Sequence, residues 1–237
     1  MGSGIAALLA NSGIDVLLLD RRSPDNDDPN QIARSGISRQ VQHRNFIRPE
    51  FAERIRAGNI EDDASQLADA DWIIEAVFED VDVKRQTFKV IEKHRRPDSL
   101  VSSNTSTIPL TDLTSEMSPA FRRDFAIIHF FNPPRTMRLV ELVGGTDTSP
   151  DTVAQLTRTV ERQLGKVVLP CRDTPGFIAN RIGNLWMAAG AREALDNDIP
   201  LELADALFSR PVGIPRTGIF GLFDYIGLQL VPGIWGV

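Results

Sequence analysis

The stretch HFFNPPRTMRLVEL combines residue types that suit acid–base chemistry. His129 lies near the end of an apolar run that predicts a strand, and Glu141 follows twelve residues later in a second such run. Imidazole is the usual general base near neutral pH, and a carboxylate on its other nitrogen fixes the tautomer and stabilises the imidazolium that forms. The rigid turn Asn132-Pro133-Pro134 suits a return of the second strand beside the first. A satisfied core histidine is the alternative interpretation.

The opening MGSGIAALLANSGIDVLLLD has features of a dinucleotide-binding unit. Gly2 matches the third glycine of a G-x-G-x-x-G turn, after which a helix N-terminus receives the pyrophosphate. Asp20 ends the next predicted strand, where an acid binds the adenosine ribose hydroxyls and favours NAD over NADP. Arg21 and Arg22 argue mildly against this preference, because an arginine there accepts a 2′-phosphate. A glycine-started helix and a strand-ending turn acid are the alternative interpretation.

Two further segments carry polar side chains at places where ligands bind. Ser103, Asn104 and Ser106 follow a buried strand in SSNTSTIPL, and such carboxyl strand ends line the ligand crevice of open α/β sheets. Turn and N-cap roles are the alternative for them. Asn180 lies in the first turns of a helix that begins after Thr174-Pro175-Gly176, on a segment expected to touch both domains. A capping or packing amide is its alternative.

Apolar runs that alternate with helical patterns must position these residues. Strands are expected at residues 15–20, 72–77, 100–103, 125–130, 139–143 and 166–169. Helices are expected at residues 4–11, 83–95, 110–117, 150–164, 177–195 and 201–208, and mixed helical spacings predict further helices within 31–57. This alternation favours a parallel sheet that is covered on both faces.

The pattern changes near residue 172, which predicts two domains. Residues 1–171 form the sheet domain of this prediction, and residues 172–237 form a mainly helical one. The expected fold class is α/β, with a doubly wound, mostly parallel sheet before the helical part.

Composition excludes several classes of function. A net charge of -6 over 237 residues gives no electrostatic reason to expect nucleic acid or an anionic membrane as a partner. The single cysteine, Cys171, excludes an intrachain disulfide and a multi-cysteine metal site, and it suits a cytoplasmic location. No apolar run approaches the roughly 18 residues that suggest a membrane span, and the N-terminus lacks the basic start of a signal peptide. We expect a cytoplasmic protein that needs no metal.

Taken together, these segments resemble the L-3-hydroxyacyl-CoA dehydrogenase family over essentially the whole chain. The family pattern G-x-G-x-M-G-x-G-I-A matches residues 1–6 from its methionine onward. The blocks IIEAVFEDVDVK, SSNTST, HFFNPP followed by LVEL, and DTPGFIANRI occur in family order. GNIEDD and SRPVGIPRTGIFGLFDYIGL resemble the dehydrogenase part of bacterial bifunctional proteins, which carry an enoyl-CoA hydratase part downstream. The resemblance implies a Rossmann-like first domain and NAD-dependent oxidation of L-3-hydroxyacyl-CoA to 3-oxoacyl-CoA in fatty-acid β-oxidation.

The resemblance also implies roles for individual residues. His129 is the catalytic base and Glu141 its orienting partner. Ser106 and Asn180 position or polarise the 3-oxygen and the thioester of the substrate, and Asn132 supports the site. The residues that bind or line the NAD cleft are Gly2, Asp20, Ala76, Glu79, Lys84 and Asn104. The alternative interpretation of Glu79 and Lys84 is a pair of exposed side chains on a surface helix. Their spacing of five residues does not favour a contact within one helix.

Two departures from the family pattern lead to further expectations. The first strand of the family and two glycines of its phosphate-binding turn would precede Met1, so we expect a sheet without its first strand, weak NAD binding and low stability. The helical part ends at Trp235-Gly236-Val237 and is expected to be incomplete, although family members use these helices to close the cleft and to form homodimers. A non-catalytic remnant that binds acyl-CoA or a protein partner without turnover is the alternative function.

Overall fold

The computed structural model describes residues 1–24, 27–213 and 217–228. The chain divides into two compact units, Met1–Thr174 and Pro175–Val237. The last residues of the expected helical domain, 229–237, and residues 214–216 of the family-like stretch lie outside the described residues.

The first unit alternates helices and strands. Its elements are α1 (Gly2–Asn11), β1 (Val16–Asp20), α2 (Gln31–Gln42), β2 (Ile55–Asn59), α3 (Ile60–Asp63), β3 (Trp72–Glu75), α4 (Val81–His94), β4 (Leu100–Ser103), α5 (Leu110–Thr114), α6 (Pro119–Arg123), β5 (Phe125–Phe130), β6 (Leu139–Val143), α7 (Pro150–Arg158) and β7 (Val167–Cys171). Short 3₁₀ helices at Pro49–Arg54 and Ala64–Asp69 and a π-helical turn at Thr159–Gln163 complete the unit.

The strands form two ladders. One pairs β1 with β2, and the other has the order β3-β4-β5-β6-β7. All neighbouring strands are parallel except β5 and β6, which are antiparallel. The predicted α/β class with a mostly parallel sheet is therefore confirmed. Among the described residues no ladder joins β1 to β3, so the sheet is interrupted at that point.

Helices cover both faces of the larger ladder. On one face, α1 and α7 pack against inward side chains of β5 and β6. This core comprises Ile5, Leu8, Leu9, Ala126, Ile128, Phe130, Val140, Leu142, Leu156, Val160 and Leu164. On the other face, Phe88 of α4 packs against Phe121 and Phe125, with ring centroids 5.7 and 5.2 Å from those of the two partners. Since side chains alternate along a strand, His129 shares the face of Phe125.

Strand β2 corrects the sequence-based expectation. Residues 55–57 were expected to be helical, but Ile55–Asn59 forms a strand parallel to β1. Gly58 permits this pairing, because a Cβ there would lie 2.7 Å from Leu19 Cδ2 and Asp63 Oδ2. Arg56 and Gly58 interrupt any strand-like alternation, so the strand depends on a partner that is distant in sequence.

The second unit is helical where it is described. It contains α8 (Ala179–Asp196), α9 (Leu201–Leu207), a 3₁₀ turn at Arg210–Val212 and α10 (Phe220–Ile226). Met187 and Ala191 of α8 share a core with Ile219 and Phe223. Gly190 allows this close approach, because a Cβ there would lie 2.1 Å from Ile219 Cδ1.

The interruption in the sheet leads to a prediction about backbone exchange. Among the residues that the structure describes, β1 and β3 each have a ladder partner on one side, whereas β5 is buried and paired on both sides. We expect the slowest amides of β1 and β3 to exchange at least about tenfold faster than those of Phe125–Phe130, because one-sided strands open at lower free-energy cost. Hydrogen–deuterium exchange resolved to single residues measures this, and equal protection would contradict it.

Candidate functional site

The histidine and the carboxylate singled out in the sequence meet across two adjacent strands. His129 of β5 and Glu141 of β6 are direct partners in the antiparallel register. Nδ1 of His129 lies 2.7 Å from Oε2 of Glu141. Glu141 is fully buried and His129 is 6% exposed, with the ring of Phe131 packed at 4.6 Å from the imidazole. The predicted pair is therefore present in the structure.

The geometry of this pair sets the chemistry of the imidazole. A carboxylate can only accept hydrogen bonds, so Nδ1–H of His129 donates to Glu141. The lone pair of the neutral imidazole is then on Nε2, which is the nitrogen able to remove a proton. If Nε2 takes up a proton, the buried carboxylate stabilises the resulting positive charge. The arrangement suits a general base with an orienting partner.

Asn104 joins the carboxyl ends of three neighbouring strands. It follows β4, its backbone N–H donates to the carbonyl of Glu75 at 2.8 Å, and its Oδ1 accepts from the N–H of Phe130 at 2.9 Å. Phe130 directly follows His129, so Asn104 helps to fix the end of the strand that carries the base. A contact between Asn104 and NAD stays a prediction.

The N-terminus of α1 lies at the same edge of the sheet. A Cβ on Gly2 would lie 3.7 Å from Cβ of Ala76, which follows β3. A Cβ on Gly4 would lie 3.3 Å from Pro134 of the turn between β5 and β6. No described side chain caps this helix end. A helix N-terminus beside small residues suits the phosphates of a dinucleotide, and contacts of Gly2 and Ala76 with NAD stay predictions.

Glu79 holds the turn that contains Ser106. Its Oε1 accepts from Thr105 Oγ1 at 2.6 Å, from the N–H of Ser106 at 2.8 Å and from the N–H of Thr107 at 3.2 Å. Longer contacts of 3.3 Å join it to the hydroxyls of Ser106 and Thr107. The structure thus brings together a residue predicted to line the cofactor cleft and one predicted to contact the substrate.

These contacts control the ionisation of Glu79. Burial alone would raise the pKa of its carboxyl group, but the hydrogen bond from Thr105 and the charge of Lys84 hold that pKa below its ordinary value. A carboxyl pKa that is lowered by folding adds stability above the unfolded pKa of about 4.3, and this stability is lost as the pH falls through the lower folded pKa.

A pH titration tests the role of this carboxylate. Between pH 7 and about pH 3, the unsubstituted chain should lose more stability than Glu79→Gln, because only the ionised carboxylate contributes the pH-dependent part. Urea unfolding at several pH values measures this difference. Glu50→Gln, at an exposed position, is the control and should follow the unsubstituted chain. Identical pH profiles for Glu79→Gln and the unsubstituted chain would contradict the assignment.

Lys84 lies inside the protein. Its Nζ is 2.8 Å from Glu75 Oε1 and 3.2 Å from Glu79 Oε2, and its side chain is 1% exposed. Glu75 is also buried; its Oε2 accepts from Ser103 Oγ at 2.5 Å, and its Oε1 accepts from the N–H of Val77 at 2.6 Å. The alternative of a surface helix pair for Glu79 and Lys84 is therefore wrong. The ammonium group ties α4 to the end of β3.

Removing Lys84 should strongly destabilise the first unit. Lys84→Met leaves the buried Glu75 carboxylate without its cation, which typically costs about 3 kcal/mol or more. Adding Glu75→Gln should recover part of this loss, because the uncompensated charge disappears. Chemical denaturation of the single and double variants measures both effects. A loss below about 1 kcal/mol for Lys84→Met would show that the pair is not coupled as described.

The remaining predicted site residues are Asp20, Asn132 and Asn180. Asp20 ends β1, and one of its carboxylate oxygens accepts from the N–H of Arg21 at 2.8 Å. Asn132 is exposed in the turn that follows β5. Asn180 is the second residue of α8 in the second unit, where Ile178 rather than Asn180 occupies the N-cap position. Functional roles for these three residues stay predictions.

Three structural residues at this edge were not singled out from the sequence. Glu75 and Thr105 are the buried partners of Lys84 and Glu79. Lys166 holds the turn between β5 and β6; its Nζ donates to the carbonyls of Pro134 at 2.5 Å and Met137 at 2.7 Å. Burial lowers the pKa of Lys166. An acid inside an apolar strand run was the available signal for Glu75.

Some types of site are not found in the described part of the chain. Within residues 1–24, 27–213 and 217–228, no group of three or more His, Cys, Asp and Glu side chains is placed to hold a metal ion. In the same ranges no helix is long and apolar enough to cross a bilayer.

Comparison with known proteins identifies both parts of the chain. Residues 1–174 match the family model of the 3-hydroxyacyl-CoA dehydrogenase NAD binding domain, and residues 176–237 match the model of its C-terminal domain. The first match supports NAD as the cofactor of the first unit.

Three individual proteins illustrate the similarity. The chain is 38% identical to a putative fatty acid oxidation complex trifunctional enzyme of Rickettsia felis, covering 96% of this chain and 32% of that protein. It is 36% identical to a probable 3-hydroxyacyl-CoA dehydrogenase of Deinococcus radiodurans, covering 98% of this chain and 67% of the relative. The crystal structure of (S)-3-hydroxybutyryl-CoA dehydrogenase from Ralstonia eutropha superposes with a TM-score of 0.80 at 30% identity, covering 99% of this chain and 81% of that one.

The chain thus spans about one third of the length of its Rickettsia relatives. Over that length the two family models together cover both units, the first in residues 1–174 and the second in residues 176–237. The chain belongs to the 3-hydroxyacyl-CoA dehydrogenase family.

Proposed function

We propose that this protein oxidises L-3-hydroxyacyl-CoA to 3-oxoacyl-CoA with NAD, as a step of fatty-acid β-oxidation. The observation that carries the proposal is the contact of 2.7 Å between Nδ1 of His129 and Oε2 of Glu141. Oxidation of a secondary alcohol requires a base at the hydroxyl group, and this buried pair has the composition and orientation of one.

In the proposed mechanism, His129 removes the hydroxyl proton of the substrate. Nε2 of His129 removes the proton of the 3-hydroxyl group while the electron pair of the C3–H bond leaves with its hydrogen, and a C=O bond forms. When bound, NAD supplies the acceptor for that hydride. Glu141 keeps Nδ1 protonated before the transfer and offsets the imidazolium charge after it. Burial of the pair strengthens this electrostatic effect.

The residues around the N-terminus of α1 would hold the cofactor. Gly2 and Ala76 would lie against the pyrophosphate, and Asp20 would bind the hydroxyls of the adenosine ribose. Glu79 and Asn104 would line the NAD cleft, whereas Lys84, predicted to line it too, is buried and would instead hold Glu79 in place through their ion pair. The short distance between Gly2 and Ala76 supports this assignment, as does the position of Asp20 at the end of β1.

Three polar residues complete the proposed substrate site. Ser106 and Asn180 would position or polarise the 3-oxygen and the thioester, and Asn132 would support the site from the turn after β5. The hydrogen bonds between Glu79 and the turn of Ser106 support a coupling of cofactor and substrate binding through that turn.

The wider setting follows from the family. We propose that the C-terminal helices pair two copies of the protein, and that a hydratase activity accompanies the dehydrogenase in a longer protein. The name of the Rickettsia relatives, a trifunctional enzyme, supports the second statement. The single cysteine is compatible with the proposed cytoplasmic location.

One observation favours the second candidate function, which is binding of acyl-CoA or a protein partner without turnover. The ladder is interrupted between β1 and β3, next to the helix that would receive the pyrophosphate. A weakened cofactor site would leave acyl-CoA binding intact while abolishing hydride transfer.

NADH formation separates the two candidates. The purified chain is given NAD with L-3-hydroxyacyl-CoA of short, medium or long acyl chain, and with the D-enantiomer as a control. The proposal predicts NADH from the L-substrates only. Acyl-CoA binding in calorimetry without NADH formation, by a folded chain that is saturated with NAD, would support the non-catalytic alternative and contradict the proposal.

A further inference from the structure

Two short segments of opposite charge meet at the end of the smaller ladder. Strand β1 is followed by Arg21 and Arg22, and β2 is followed by the acids at 61–63. Asp20 and Asn59 are direct partners in the parallel register of these strands. Because parallel strands end at the same edge, the arginines and the acids lie beside each other.

Arg22 is held by two of these acids. Its backbone N–H donates to Glu61 Oε2 at 2.8 Å, and its Nη1 makes an ion pair with Asp62 Oδ2. Both side chains of the ion pair are about half exposed, at 52% and 50%. The guanidinium group is therefore directed to Asp62 although solvent is available to it.

Asp62 is itself fixed from the interior. Its Oδ2 accepts from Asn59 Nδ2 at 3.0 Å, and its backbone N–H donates to Asn59 Oδ1 at 2.9 Å. Asn59 is 1% exposed, and its Nδ2 donates in addition to Asn30 Oδ1 at 2.7 Å. Two hydrogen bonds with the buried Asn59 thus hold Asp62 in the position from which it pairs with Arg22.

This arrangement bears on the choice between two dinucleotides. In a dinucleotide-binding unit, an arginine after the second strand recognises a 2′-phosphate when its guanidinium group is free to turn toward the phosphate. Strand β1 takes the place of that second strand in this chain. Here the guanidinium group of Arg22 is neutralised by Asp62. A 2′-phosphate near Asp20 would also meet the charges of Glu61 and Asp62, and like charges at short range are unfavourable.

We propose that Asp62, assisted by Glu61, determines the specificity of the protein for NAD over NADP by holding Arg22 in an ion pair beside Asp20. The carboxylates admit the 2′-hydroxyl of the adenosine ribose and repel a phosphate at that position. This inference rests on the proposed function, which places the ribose at Asp20.

Calorimetric titration with NADH and, separately, NADPH tests the inference by binding alone. Asp62→Asn removes the charge, while its amide oxygen still accepts from Asn59 Nδ2, so the local fold is retained. The ratio of the NADPH Kd to the NADH Kd should fall by about tenfold, since a released arginine gains a charge-assisted contact with the phosphate. The Kd for NADH should change by less than about twofold. Adding Arg22→Gln to Asp62→Asn should restore the original ratio.

Asp15→Asn is the matched control. Asp15 precedes β1, at the opposite end of the strand from Asp20, and pairs with Arg54 at 2.7 Å in an exposed ion pair. The Asp15→Asn substitution also removes one negative charge and should leave the ratio of the NADPH Kd to the NADH Kd unchanged. An unchanged ratio in Asp62→Asn, an equal shift in Asp15→Asn, or a shift that Arg22→Gln does not reverse would overturn the inference while NADH still binds. Failure of the unsubstituted, folded chain to bind NADH would instead contradict the proposed function, and this inference would fall with it.

Discussion

His129→Gln is expected to reduce kcat for L-3-hydroxyacyl-CoA oxidation by about 10²- to 10⁴-fold, the usual contribution of a positioned general base. Glutamine retains a polar group in the pocket beside Phe131, but it cannot accept the hydroxyl proton. The Kd for NADH should change little, because the proposed contacts of His129 are with the substrate hydroxyl. Steady-state kinetics and NADH titration of the same preparation measure both quantities.

The same substitution distinguishes a catalytic residue from a core histidine. A structural role predicts a loss of folding stability with kcat preserved in the folded fraction. The catalytic role predicts that kcat is lost while folding stability is largely kept. The reason is that His129 lies at the end of β5 and its backbone pairing with β6 is retained in the variant. Full turnover in His129→Gln would show that the base has been assigned to the wrong residue.

Glu141→Gln is expected to lower kcat by about 10²- to 10⁴-fold as well. The amide is nearly isosteric but uncharged, so it offers no compensation when Nε2 is protonated. Its NH₂ group can also donate to Nδ1, which would place the ring proton on Nε2 and remove the base. The KM for the substrate should change less than kcat, because Glu141 is fully buried and acts through His129.

Asp124→Asn is the matched control for the loss of a buried carboxylate. Asp124 is 8% exposed, pairs with Arg95 at 2.9 Å and directly precedes β5, at the opposite end of the strand from His129. This variant should lose stability while its folded fraction keeps kcat within about twofold, since neither partner contacts the imidazole. A drop in kcat equal to that of Glu141→Gln would indicate that general destabilisation, and not the orientation of His129, explains the effect.

The strands that carry the base were predictable because local pattern and tertiary environment agree there. Residues 125–130 and 139–143 are largely apolar runs that are followed by turn residues, and the observed strands have the same limits. A strand that is buried on both faces consists mostly of apolar residues, so its sequence shows such a run. The proximity of His129 and Glu141 followed from two such strands joined by a rigid turn.

Other features depend on contacts that are distant in sequence. Strand β2 contains Arg56 and Gly58 and forms only because β1 is available beside it. The burial of Lys84 depends on Glu75, nine residues earlier in another element, and a lysine in a polar helix gives no sign of such a partner. The ion pair of Arg22 with Asp62 joins the ends of two strands, so the sequence alone left the arginine as a candidate for phosphate binding.

The central claim is that His129, oriented by Glu141, removes the hydroxyl proton during oxidation of L-3-hydroxyacyl-CoA. Its most direct test is a single-turnover measurement of NADH formation, with enzyme in excess over substrate and saturating NAD, in the unsubstituted chain, His129→Gln and Asp124→Asn. We expect NADH from the unsubstituted chain and Asp124→Asn at similar rates, and at least about a hundredfold slower formation from His129→Gln. Equal rates in all three proteins would contradict the account.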